Sequence, residues 1–600
     1  MRTKTMFAVL AASACAFAAD FPTDQNAIIT EPGTYTATGN LGWTSLAVGG
    51  AGSFLFDLSG GPYTVTLTGT GNNVMTLNAK DTDLTLKGGA WTFAGAAPNF
   101  NCASGTRGAN RSLTLDGAKM SGLSNFYLAY GSDPNSSLVL TNEAELSVGA
   151  FYLSQNSANA KGLRLDIVGG SKLTTTGAFG TDGGNGASDQ DAWIRVSGSG
   201  SQLKVGNTFT FGNGHRGLHM EVADGATVDM GNKNFTMSSG RYAADAHLLV
   251  TGTGTVFTNC AYFTVGSNSS TTLEEATYDN TVLVSDGAGF HVTTLRLGHD
   301  TNGSTNNTFI VSNATFAATG LTIKGANGKY NNLEFRGSAS KIRTGNNWKY
   351  LSQGGASFNR FTIDGSTWTA GYAFSTYTGT NNVMEIVNGA LADLSSNTFT
   401  LGHDQNEKNY HGDRLTIGAN AELRTSRFLM AGNGQELIIS NGTLTALTSG
   451  EGSWANGAMI FANNRAYATN LVVTLRGTTP KIASSGFLVV QSNTKFRFEM
   501  PAGGYAEDFT PITGSRVRFD MGQDARPYGE PVFEVDVSEL MPTLTGKKKY
   551  KLVEGVEKGY MGTIIARSNA IAPEGCTFSY EDDSVYLTVK PKQGLILIFR

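Results

Sequence analysis

Apolar residues along most of this chain alternate with polar ones for a few positions and then give way to glycine, asparagine and aspartate. One recurring unit is such a run closed by a small turn. It reads SLTLDGAKM (112–120), SLVLTNEAELSV (137–148), LHMEVADGATVDM (218–230), NTVLVSDGAGFHV (280–292), NNVMEIVNGALADL (381–394), DRLTIGANAEL (413–423) and ELIISNGTLTAL (436–447). A second unit has Phe or Leu, one residue, another apolar residue and then small polar residues. It begins at Phe126, Phe151, Phe209, Phe235, Phe263, Leu295, Leu321, Phe399, Phe428 and Phe487. Alternation with period two marks strands with one buried face. The joint, Asp or Asn followed by Gly-Ala, supplies residues that tolerate positive φ and bond their own backbone. No comparable stretch has helical spacing.

The units return roughly every 25 to 33 residues, a period too short for a propeller blade. Isolated short hairpins are marginal, whereas stacked coils bury a continuous core and pair each strand above and below. The expected fold is therefore all-β: a single-stranded parallel β-helix (β-solenoid) of about 15 coils, with an N-terminal cap and a small C-terminal β domain. The phenylalanines should stack as a ladder, and interior asparagines near the turns should form a hydrogen-bonded ladder of their own. Residues 20–60 repeat poorly and read as the cap, and residues 61–500 as the repeats. Seven of the 13 prolines follow residue 500, where charge also rises, so residues 501–600 read as a C-terminal cap and small β domain.

Composition narrows function by exclusion. Only 15% of residues are charged and the net charge is −4, which gives no electrostatic case for nucleic acid. The first residues, MRTKTMFAVLAASACAFAAD, carry a basic start, an apolar run and Ala-Phe-Ala, as a signal peptide over residues 1–19 would. No later segment is apolar for the length a transmembrane helix needs. Export to the outside or to the cell surface is expected. Cys102, Cys260 and Cys576 are too dispersed for a disulfide framework or a metal site, and read as buried thiols.

The candidate chemistry is sparse. Gly-His-Asp occurs at 298–300 and again at 402–404, in glycine-rich loops. Aligned by repeat, the same place holds Gly212-Asn213-Gly214, Gly266-Ser267-Asn268 and Gly432-Asn433. A position that accepts Asn or Ser needs a polar turn and not an imidazole. Asp182, Asp189 and Asp191 have no calcium-loop spacing. The recurring turn acids Asp116, Asp224 and Asp286 are replaced by Asn142, Asn388 and Asn441, so they form no catalytic column. No catalytic residue, metal or cofactor is assigned. An aromatic cluster at residues 348–377 offers Trp348, Tyr350, Trp368, Tyr372 and Tyr377 as glycan-stacking candidates, with Arg343, Arg360 and Asp364 among them.

LVSDGAGFHVTTLRLGHD and MEIVNGALADLSSNTFTLGHD carry a family likeness. Residues 60–500 resemble the passenger repeats of bacterial autotransporters and related surface proteins with pectin-lyase-like β-helices. The resemblance implies a bacterium with an outer membrane, although only about a hundred residues follow the repeats where an autotransporter carries a translocator barrel. It implies a secreted or cell-surface solenoid with a structural, adhesive or glycan-contacting role, its partners surface glycans or other surface components. The alternative is a β-helical polysaccharide lyase or glycoside hydrolase. That enzyme would gather three or more charged residues from adjacent coils in one groove, where a structural solenoid would present Ser, Thr and Asn.

Overall fold

The structure, a computed structural model, describes residues 18–102, 109–130, 134–155, 161–182, 188–240, 243–267, 277–298, 304–324, 328–347, 349–353, 355–376, 378–402, 411–448, 458–462, 468–490, 494–519, 532–556 and 570–591. Every sheet ladder before residue 576 is parallel among the described pairings, and the chain is a parallel β-helix of about 15 turns. It divides into two compact units, one from Met1–Asp182 with Ala192–Lys204 and one from Gly183–Asp191 with Val205–Arg600.

In the first unit, strands Thr82–Lys87, Arg111–Asp116, Ser137–Thr141 and Arg164–Val168 pair in register from coil to coil. Alternation then stacks like on like. Leu84, Leu113, Leu138 and Leu165 form one buried column, and Leu86, Leu115, Leu140 and Ile167 another. On the second sheet Phe100, Phe126, Phe151 and Phe179 stack at 4.8, 5.1 and 5.1 Å between ring centres. At the start, Phe21 packs on Tyr35, Trp43 and Phe56 and covers the first apolar columns. Parallel pairing is already present inside residues 20–60, where Gly33–Thr36 lies along Gly52–Asp57.

The second unit repeats the plan, and each coil has three parts. A first-sheet strand such as Thr281–Ser285 or Val383–Val387 leads into a tight turn. In that turn both Asp286 and Gly287 have positive φ (54° and 83°), and Ala288 N–H closes it on Ser285 O at 3.1 Å. Asn388, Gly389 and Ala390 do the same. Asp and Asn are the non-glycine residues that enter the left-handed region most readily. The chain then runs through a second-sheet strand that bends. In Gly289–Leu297 the inward residues are Phe290 and Val292 and then Leu295 and Leu297. One extra residue slips the alternation, and the strand turns a corner at Thr293-Thr294.

Two interior columns hold this unit together. The phenylalanine column runs Phe209, Phe235, Phe263 at 4.6 and 4.7 Å, continues through Leu295, Leu321 and Lys349, and resumes with Phe374, Phe399, Phe428 at 5.3 and 5.8 Å. The second column is polar. Asn280, Asn307, Asn331, Asn359, Asn382 and Asp413 are fully buried. Each amide donates to the next oxygen along, at 2.6, 2.9, 3.1, 3.1 and 3.0 Å. The backbone N–H groups of Asn307, Asn331, Asn359 and Asn382 donate to those same oxygens. Both expected ladders are thus present.

The compositional break at residue 500 is not the end of the coils. Thr494–Glu499 pairs in parallel with Val532–Asp536, and Lys481–Val490 with Ile512–Phe519, which in turn pairs in parallel with Lys548–Val556. Pro501 and Pro511 stand in the connections between these strands, where no ladder N–H is needed. The change comes later. Ser584–Val589 lies antiparallel to both Lys548–Val556 and Cys576–Glu581.

Candidate functional site: a groove across five coils

The corner where second-sheet strands bend is open on one stretch of the second unit. A groove of about 530 Å³ crosses Val256–Ser267, Gly289–Leu297, Thr315–Lys324, Lys341–Thr344 and Thr367–Ala370. Its length follows from the coil spacing: four steps of ~4.8 Å, about 19 Å. The register explains the opening. His291, Ala317, Arg343 and Thr369 lie in one outward row, and at the next corner positions Gly345 and Gly371 stand beside Thr319 and Thr293. Small side chains form the floor, and His291, Arg343 and Asn259 stand around it. A methyl group on Gly371 would come within 2.9 Å of Asn346 Oδ1 and 3.2 Å of the Gly345 backbone, so the coils close up here because these residues lack a side chain.

The groove holds little that could cut a bond. Among the described residues its lining has no carboxylate, and its ionisable side chains are His291, Arg343 and Cys260. Burial pushes the Cys260 thiol up to about 12, so it stays protonated and unreactive at neutral pH. The rest is Thr, Asn, Ala, Val and Gly, so threonine hydroxyls and the Asn259 amide stand on a mainly apolar surface. Further along the first strand Tyr262 is 41% exposed, and the Arg296 guanidinium sits 4.1 Å over its ring.

A second cavity, of about 500 Å³, is the opposite in character. Arg476, Glu499, Asp536 and Glu539 line it, with Ser440, Asn441 and Ser538. Two of its acids are tied down. Glu499 accepts from Arg476 Nε at 2.5 Å and lies 3.5 Å from Arg497 Nε. Two hydrogen bonds from Ser538, backbone and hydroxyl, hold the Asp536 carboxyl below its ordinary range, with Arg497 adding to the effect. Glu499 and Asp536 act as partners in a surface ion-pair network.

The aromatic cluster expected at 348–377 is dispersed. Trp368 is fully buried, edge-on to Phe361 and Phe374, with its indole N–H on Thr344 Oγ1 at 3.1 Å. That corrects the expectation for Trp368: a ring enclosed in the core offers no face to a sugar. Tyr350 and Tyr372 are half-buried on the second-sheet side. Trp348 and Tyr377 lie outside the described residues. Arg343 is at the groove, whereas Arg360 pairs with Glu385 on the first sheet and Asp364 accepts from Asn388 there. Lys349, 5.8 Å from the Tyr372 ring centre, is fully buried, its ammonium donating to Gly345 O and Asn347 O at 2.6 and 2.7 Å. Burial lowers its pKa to about 8.

His299, Asp300, His403 and Asp404 lie outside the described residues. The glycines before them are described: Gly298 and Gly402 have φ of 88° and 89°, as Gly212 (90°), Gly266 (73°) and Gly432 (99°) have at the same place in their coils. His291 escaped the sequence reading because it belongs to a different repeat from Asn259 and Tyr262. The signal that could have found them is the row of outward residues one step before each corner. Among the described residues no group of three or more His, Cys, Asp or Glu is placed to hold a metal ion. Compared with protein-family models, with curated proteins and with solved structures, the chain matches none.

Proposed function

We propose that this protein is an exported β-solenoid, secreted or displayed on the surface of a bacterium with an outer membrane, that contacts glycan chains without cleaving them. The observation that carries the reading is the lining of the five-coil groove. It is long in the stacking direction, carries threonine hydroxyls and the Asn259 amide on a mainly apolar surface, and is supplied with one guanidinium and one imidazole and, among the described residues, no carboxylate. A linear polymer lying along it would meet Asn259, His291, Arg343 and Thr369 on successive stretches of its length. The N-terminal sequence pattern and the resemblance to autotransporter passengers support export and a structural or adhesive setting.

The alternative, a lyase or hydrolase, has one observation in its favour: Glu499, Asp536 and Glu539 meet in the second cavity. The ion pairs there favour the structural role, because glycoside hydrolysis needs one carboxyl kept protonated at working pH. The test is a glycan-array screen of the mature chain, followed by product analysis after incubation with acidic and neutral polysaccharides. Binding without new reducing ends or unsaturated products is expected. Cleavage products would overturn the reading, and so would an array without a bound glycan.

A further inference from the structure

A second surface of the same unit is built at a cost the fold does not require. The residue just before each ladder asparagine turns the chain into the first sheet with a left-handed backbone. Asp279, Asn306, Tyr330, Phe358 and Asn381 occupy this corner in successive coils, with φ of 56°, 56°, 57°, 56° and 56°. Four of their N–H groups bond to the next coil, Asp279 to Thr305 O at 3.4 Å, Asn306 to Lys329 O at 3.1 Å, Phe358 to Thr380 O at 3.0 Å and Asn381 to His411 O at 3.0 Å. The ladder imposes the conformation, since the asparagine that follows is locked by its backbone N–H and its amide together. Asp and Asn suit that conformation and aromatic residues do not.

Yet two adjacent coils put aromatic rings there and leave them in water. Tyr330 is 59% exposed and Phe358 43%. Their rings stack with centres 5.5 Å apart and planes 24° from parallel. Short side chains, Asn306 before and Asn381 after, bracket the pair. The Thr380 and Ser357 hydroxyls meet at 3.0 Å beside it. An outlying backbone held in place by its surroundings is a reason to look for function.

We propose that Tyr330 and Phe358 form a shelf for the ring of a neutral saccharide, one apolar sugar face lying on an aromatic ring and hydroxyls reaching the flanking Asn306 and Asn381 amides. The proposal rests on the glycan-contacting reading and adds a site outside the groove. A patch of two rings is far below the ~1,000 Å² that a specific protein partner needs, and its polar border matches the hydroxyl rim of a sugar.

The same corner in neighbouring coils supplies the test. The double variant Tyr330→Asn, Phe358→Asn installs the residue that Asn306 and Asn381 already use, so the coil should fold and melt at or above the wild-type temperature. The full chain, this variant and Arg343→Ala would be run by affinity electrophoresis in gels containing galactomannan, xyloglucan or hydroxyethylcellulose. Wild type should be retarded in at least one gel, and the double variant should bind about tenfold more weakly. Equal retardation of the double variant overturns the shelf, and loss in Arg343→Ala alone would then leave the groove reading standing. A lower melting temperature overturns it too, because the rings would then be packing, as does a wild-type dimer that the variant lacks. Wild type unretarded in every gel removes the shelf and the reading beneath it together.

Discussion

The phenylalanine and asparagine columns run through the same coils and respond to the chain in opposite ways. The apolar column is non-directional. Between Phe263 and Phe374 it accepts Leu295, Leu321 and even Lys349, because dispersion contacts ask only for volume. The polar column has a direction. Every amide donates forward, so each asparagine depends on the oxygen after it, and the series must end on an acceptor. It ends on Asp413. Stacked like residues therefore stabilise a solenoid by two different rules: one tolerates substitution in place, and the other passes a defect to its neighbour.

The sharpest way to break that contrast is to cut each column once. Asn359→Ala removes the oxygen that accepts from both the backbone N–H and the side-chain amide of Asn331, at 3.0 and 3.1 Å, in a fully buried site. The backbone N–H is then left without this partner, and a cavity remains. A loss on the order of 4 kcal/mol is expected in urea unfolding followed by Trp368 fluorescence. Phe399→Leu, in the apolar column, should cost only about 1 kcal/mol, since Leu already occupies that column elsewhere. Equal losses would show that the polar column has no directional character.

The end of the polar column sharpens the comparison through pH. Asp413 is fully buried, and burial raises its pKa to about 7, against hydrogen bonds from Thr376 and Asn382 that pull it down. Among the described residues its Oδ2 has no hydrogen-bond partner, nor do Oε1 and Nε2 of Gln435, the residue beside it in the next coil. Because the folded pKa lies above the ordinary 3.8, the folded chain holds a proton that the unfolded chain has released. Stability should therefore fall as pH rises from about 4 to about 7, by on the order of 3 kcal/mol, and level off above. Asp413→Asn extends the ladder by one amide, which can donate to Gln435 Oε1. It should remove that slope and raise stability at pH 8. A slope unchanged in the variant would mean that another group carries it.

These columns also show what a single chain discloses. Repeated Phe and turn motifs made the coils and the apolar ladder legible, because identical residues at a fixed period have one economical arrangement. The groove was less legible. It depends on a one-residue slip of alternation at Thr293-Thr294 and on residues too small to attract notice, Ala317, Gly345 and Gly371. The aromatic cluster misled for a related reason. Residues close in sequence, such as Arg343 and Arg360, fall on different sheets, whereas true neighbours are a coil apart, as Tyr330 and Phe358 are. The described prolines after residue 500 belong to connections, and a rise in proline content registers longer loops as readily as the end of a stack.

Lys349 gives the smallest effect and the most exacting check. It occupies an apolar position between Leu321 and Phe374, with its ammonium held by the Gly345 and Asn347 carbonyls. Its folded pKa, about 8, lies below the ordinary 10.5, so between these values the unfolded chain binds more protons. Stability should rise with pH through that window, opposite in sign to the Asp413 effect and at higher pH. Lys349→Leu restores the column but leaves two carbonyls without their donor. These changes offset, and stability at pH 7 should move by about 1 kcal/mol or less. The alkaline rise, followed by denaturant titration at pH 7.5 and 10, should vanish in the variant. If Lys349→Leu instead cost as much as Asn359→Ala, the apolar column would be as intolerant as the polar one, and the distinction between the two ladders would fail.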